Sequence, residues 1–162
     1  SYTVFTPNNC PLLGNRSSCG AKRAVKFGEH LYDSVLEKVP HRHCGFTLPK
    51  RLRVYFRYDR SLNNILFQAA ANAVHAVLGS DTQSPALVLT VQTAGEALNF
   101  NPHLHGLLAD GTFETSGKFT PLAAIDTDAL SQHFESGVLA ALVTRGLITD
   151  HDVAQILTQC GR

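Results

Sequence analysis

No run of about 18 apolar residues occurs in this 162-residue chain, which excludes a membrane-spanning helix. No basic start followed by an apolar block opens it, so nothing reads as a secretory signal. Cysteine is scarce. The four cysteines, at positions 10, 19, 44 and 160, are too few and too scattered for the disulfide framework of a small secreted domain. Cys10 and Cys19 are close enough to share one small metal loop, whereas Cys44 lies in an apolar stretch and reads as an inert core thiol. No internal repeat and no low-complexity tract is present, which argues against a repeat architecture. What remains is a chain of ordinary apolar content, long enough to bury one good core. Its start at Ser1 rather than Met, and its stop just past a predicted helix, suit a segment excised from something longer.

The net charge of +1 conceals an asymmetry. Residues 1–60 carry eleven Lys/Arg against four Asp/Glu, and residues 61–162 carry three against nine. A basic half joined to an acidic half suits a face that meets a polyanion. The alternative is that the halves neutralise one another across an internal interface.

Pro7, Pro11, Gly14 and Gly20 make residues 1–20 an irregular loop or small knuckle. Ala24, Phe27, Leu31, Val35 and Leu36 follow helical spacing and predict a helix over 21–38, stopped by Pro40. A short strand is expected over 43–48 and a basic turn or short helix over 49–60. Leu62, Ile65, Leu66, Ala69, Ala73, Val74 and Val77 form the buried stripe of a helix over 61–78, with Gly79 as its C-cap. Ala86–Thr93 is a β-branched apolar strand. A loop through Gly95, Asn99 and Pro102 precedes a strand over His103–Ala109, and Asp110-Gly111 reads as a turn. Helices follow over 126–145, with Leu130, Phe134, Val138, Leu139, Leu142 and Val143 inward, and from a Thr149/Asp152 capping box through Leu157. The order predicts an α+β domain with a mainly antiparallel sheet.

The feature that points to chemistry is Asn101-Pro-His-Leu-His-Gly-Leu-Leu108. On a strand, side chains alternate faces, so His103 and His105 project from one face while Leu104 packs on the other. Two neutral imidazoles side by side form a partial site for a divalent metal. The alternative is two histidines satisfied by ordinary hydrogen bonds near a strand end. Histidine-triad hydrolases need a third histidine where Leu107 stands. Amidohydrolase barrels need about 250 residues, more than this chain has. A second cluster lies upstream, where Lys50, Arg51, Arg53, Arg57 and Arg60 alternate with Leu52, Tyr55, Phe56 and Tyr58. Cations neutralise phosphates and aromatic rings stack on unpaired bases. An amphipathic helix with a solvated cationic side carries the same pattern.

Several segments together resemble the rolling-circle, two-tyrosine transposases of bacterial insertion sequences. They are Ser18-Cys-Gly-Ala-Lys-Arg23, Val39-Pro-His-Arg-His43, Phe46-Thr-Leu-Pro-Lys-Arg-Leu-Arg53, Tyr55-Phe-Arg-Tyr-Asp-Arg60, Val91-Gln-Thr-Ala-Gly95 and Asn99–Gly111. The resemblance covers nearly the whole chain. It implies a ferredoxin-like HUH endonuclease domain over 39–162, truncated at its C-terminus, after a remnant zinc-binding module and helix over 1–38. It also implies DNA transposition in the cytoplasm, with nicking and joining of single-stranded DNA through a phosphotyrosine. His103 and His105 match the family's pair of ligands for a divalent metal, Mg or Mn, with Gln92 or Glu96 as the third ligand. Lys50, Arg51, Arg53 and Arg57 would contact the DNA.

Two departures qualify these expectations. All four tyrosines (Tyr2, Tyr32, Tyr55 and Tyr58) precede the histidine pair, whereas the family's nucleophiles follow it. Arg16 stands where the zinc module has a cysteine, leaving Cys10 and Cys19 for a structural site that takes four ligands. Two other readings therefore stay open: a noncatalytic DNA-binding remnant of a transposase, and a small phosphoesterase in which metal-bound water attacks.

Overall fold

One long strand, β4 (Phe100–Glu114), organises the fold, because three other strands pair with it. The computed structural model describes residues 3–4, 16–94 and 100–159, and the side chains of residues 3, 4, 16–21, 94 and 159 lie outside that description. In chain order the elements are β1 (Thr3–Val4), α1 (Arg16–His30), a π-helical turn (Leu31–Val35), β2 (His41–Thr47), a 3-10 turn (Lys50–Leu52), α2 (Arg53–Tyr58) and a 3-10 turn (Arg60–Leu62). They continue with α3 (Asn63–Leu78), β3 (Gln83–Ala94), β4, β5 (Phe119–Pro121), α4 (Thr127–Thr144) and α5 (Asp150–Gln159).

The sheet runs β1, β3, β4, β2, and β5 continues along the β2 side of β4. β2, β3 and β5 are each antiparallel to β4, while β1 is parallel to β3. β2 and β3 are therefore parallel to each other with β4 between them, joined through α2 and α3, which is a split βαβ unit. The fold is the expected α+β arrangement with a mainly antiparallel sheet and flanking helices.

Packing on one face fixes what the other face can display. Pro102, Leu104, Gly106 and Leu108 of β4 are buried, as are Phe46, Leu87 and Leu89 of its neighbours. Against them lie Leu52, Phe56 and Leu62, the α3 residues Ile65, Leu66, Phe67, Ala69, Ala70, Ala73 and Val74, the α4 residues Leu130, Phe134, Val138, Leu139 and Leu142, and Ile148 and Ile156. α3 also buries Phe67, Ala70 and Ala71, outside the single stripe predicted for it, because both the sheet and α4 pack on it. Residues 101, 103, 105 and 107 occupy the opposite, partly open face. At the His41 end, Val35, Leu36 and Glu37 lie across that face, forming a pocket with Val88 and Leu107.

Several boundaries differ from those expected. Residues 16–20 are helical rather than loop, and α1 gives way by Leu31 to a π-turn closed by Leu36 N–H on the Leu31 carbonyl. β4 does not turn at Asp110-Gly111. Gly111 lies within the strand, where a Cβ would sit 2.4 Å from the Phe119 ring, so its role is close approach across the β4–β5 hairpin. The turn follows at Gly117, whose φ of 85° suits glycine. Pro102, expected in a loop, is inside β4. Like Pro85 in β3, it lies at an irregularity of the β3–β4 register, where a missing N–H is tolerated. The Thr149/Asp152 box opens α5 as predicted, with Thr149 N–H and Oγ1–H both donating to Asp152 Oδ2. Among the described residues no helix is long and apolar enough to cross a membrane.

Gly106, between His105 and Leu107, faces the core. A Cβ there would lie 2.7 Å from Cys44 Sγ and 2.9 Å from Leu89 Cδ2. Gly106→Ala is expected to cost about 1–3 kcal/mol through overpacking, seen in urea denaturation as a lower midpoint with the slope unchanged.

Candidate metal and nucleic-acid site

The register of three strands assembles the site. His105 pairs with Gly45 of β2 on one side and Thr90 of β3 on the other. His103 pairs with Thr47 and Gln92. His43 pairs with Leu107, which makes it the diagonal neighbour of His105 on the same face.

Three imidazoles form a chain there. His103 Nδ1 is 2.7 Å from the backbone oxygen of Asn101. His103 Nε2 is 3.0 Å from His105 Nε2, and His105 Nδ1 is 3.0 Å from His43 Nε2. A carbonyl only accepts, so His103 carries its proton on Nδ1, and in the neutral ring Nε2 is a bare lone pair. His105 Nε2–H then donates to it, and His105 Nδ1 accepts from His43 Nε2–H. With all three rings neutral, every donor in the chain meets an acceptor. Burial first, and then the neighbouring His103 and His43, hold the His105 pKa below the usual histidine value.

These atoms fit part of a metal site. The two Nε2 atoms converge at 3.0 Å, close to the roughly 3.3 Å that separates two imidazole nitrogens on one tetrahedral ion. His43 meets the opposite nitrogen of His105 and so stands behind the imidazole pair. Among the described residues no group of three or more His, Cys, Asp and Glu side chains is arranged to hold an ion. An ion held here would need a third donor of another kind or from elsewhere. Gln92 is exposed, directly beside His103. Asn101, two residues before His103 on the same strand, has a buried Oδ1 without a hydrogen-bond partner. Glu96 lies outside the described residues, as does Cys10, and of Cys19 only the backbone, within α1, is described.

The basic segment begins at the same end of the sheet. Thr47 pairs with His103, and the chain passes through Leu48 and Pro49 into Lys50 and Arg51. Lys50, Arg51, Arg57 and Arg60 are exposed. Arg53 is half-buried, and its Nε–H donates to the Leu48 carbonyl, bracing the turn. The aromatic residues divide: Phe56 is in the core, Tyr55 packs half-buried against it, and Tyr58 is 82% exposed beside Arg57. Arg42 is tied to Asp110. Cys44, partly buried behind the histidines, has its pKa raised by desolvation, in keeping with an inert thiol.

His43 and the unpartnered Asn101 oxygen were not singled out as site residues by sequence reasoning. In the sequence His43, beside Arg42, reads as a strand start or as an addition to the basic surface; its meeting with His105 spans 62 residues of sequence.

No known protein-family profile matches the chain. The chain is similar to the transposase for insertion sequence element IS801 of Pseudomonas savastanoi pv. phaseolicola, with 31% identity over 107 residues. The aligned stretch is 65% of this chain and 26% of the relative, so the chain spans about a quarter of that transposase's length. The similarity ties the chain to an insertion-sequence transposase.

By NMR titration without added metal, His105 is expected to titrate below the ordinary histidine value of about 6.5. The sign follows for stability. The unfolded chain takes up this proton first as pH falls, so stability declines on acidification below about pH 6.5. Titration of His105 above the ordinary value would contradict the chain of neutral imidazoles.

Proposed function

We propose that this chain is the metal- and DNA-holding part of a transposase that nicks and joins single-stranded DNA through a phosphotyrosine. The observation that carries the reading is the convergence of His103 Nε2 and His105 Nε2 at 3.0 Å, at the end of the sheet where the basic turn begins. The similarity to an insertion-sequence transposase supports it.

His103 and His105 would hold a divalent metal, Mg or Mn, with Gln92 as third ligand; bound there, it would supply Lewis-acid polarisation of a scissile phosphate. The chain's own residues hold the substrate. Lys50, Arg51 and Arg57 neutralise backbone phosphates, and the exposed Tyr58 ring offers a stacking surface for an unpaired base. Arg53 contributes by fixing the turn that presents them. The attacking tyrosine is not assigned to Tyr55 or Tyr58; following the resemblance, its place is after the histidine pair.

Calorimetric titration of Mn²⁺ with single-stranded DNA present tests the metal reading. Saturable binding by the wild-type chain, abolished in His103→Ala/His105→Ala, is the expected result. Equal heats in both proteins would leave a noncatalytic DNA-binding remnant. For the DNA, Lys50→Gln/Arg51→Gln/Arg57→Gln is expected to weaken oligonucleotide binding. It should also reduce the slope of log K against log salt by about 2, at ~0.7 per phosphate contact on a single strand. An unchanged slope would remove these three residues from the interface.

A further inference from the structure

Resting on that reading, we infer that His43 is a positioning residue for the metal site, serving His105 as acceptor in one state and donor in the other. His105 spends both ring nitrogens, Nε2 at 3.0 Å toward His103 and Nδ1 at 3.0 Å toward His43. His103 is locked with its proton on Nδ1 by the Asn101 carbonyl at 2.7 Å. Without metal, His105 therefore carries its proton on Nε2, and Nδ1 must be given a donor, which is His43 Nε2–H.

For His105 to offer Nε2 to a metal, that proton has to leave. The neutral ring then carries its proton on Nδ1, which needs an acceptor at the same place. His43 supplies it by moving its own proton from Nε2 to Nδ1. Each of the two rings loses one N–H proton and gains one through solvent, so the charge of the pair is unchanged. An imidazole nitrogen donates or accepts according to the ring's tautomer, so one atom of His43 can serve both states. His43 is exposed, so water can reach its Nδ1 in either state. The hydrogen bond on the far nitrogen of a ligand histidine selects its tautomer and orients its ring. His103 has a fixed partner for this, and His105 has a reversible one. The two ligands therefore differ: His103 is pre-set to bind, and His105 is switched.

Two measurements test the inference. In Mn²⁺ calorimetry with single-stranded DNA, His43→Leu is expected to weaken binding roughly 10- to 100-fold. His43→Gln, whose amide also donates and accepts, should restore it to within a few fold. In ¹⁵N spectra of the imidazoles, His43 and His105 should both change from the Nε2–H to the Nδ1–H form on adding Mg²⁺, while His103 stays Nδ1–H. Mn²⁺ affinity unaffected by His43→Leu, or a His43 tautomer unmoved by Mg²⁺, would overturn the inference while leaving the metal site standing. A wild-type chain that takes up no metal overturns both.

Discussion

The two-residue alternation of β4 is the constraint on which the rest depends. Pro102, Leu104, Gly106 and Leu108 anchor one face against the helices. That burial fixes the register, because a slip of one residue would send the leucines to the open face and both imidazoles into the core. The histidines are thus held by their neighbours' packing, and no flexible loop sets their spacing. Gly106 sharpens the constraint, since Cys44 and Leu89 already fill the place where its side chain would be.

The same strand joins two kinds of chemistry. On its open face lie imidazoles that share protons among themselves and with a backbone carbonyl. At the end where His103 meets Thr47, the chain turns into exposed cations braced by Arg53 on the Leu48 carbonyl. A phosphate chain lying along the turn would reach the histidines without crossing the hydrophobic layer. α4 and α5 pack on the core face of the sheet, opposite the histidines, and Glu135 of α4 lines a pocket with Thr47, Leu48 and Pro49.

Much of this was legible in the sequence. The buried stripes of α3 and α4, the Thr149/Asp152 box and the shared face of His103 and His105 all follow from local periodicity. Misread features had non-local causes. Asp110-Gly111 carries a turn signature, yet Gly111 is small because the Phe119 ring crosses it. Pro102 looks like a strand breaker but falls where the β3 register shifts. Of the basic segment the composition was plain, but not which members face solvent: Phe56 is core, Arg53 is half-buried and bonded to the turn, and Tyr58 is free-standing. His43 was hidden altogether, because no local rule pairs it with His105.

That long separation has an entropic meaning. The His43–His105 contact spans 62 residues of sequence, with the basic turn, α3 and β3 lying between. Bringing such distant residues together has to meet the entropy of closing that loop. The imidazole chain rests on the β2–β4 pairing, and it disperses when β2 parts from β4. Its integrity reports on the whole sheet, so a substitution deep among the helices that loosens this pairing would silence the histidines without touching them.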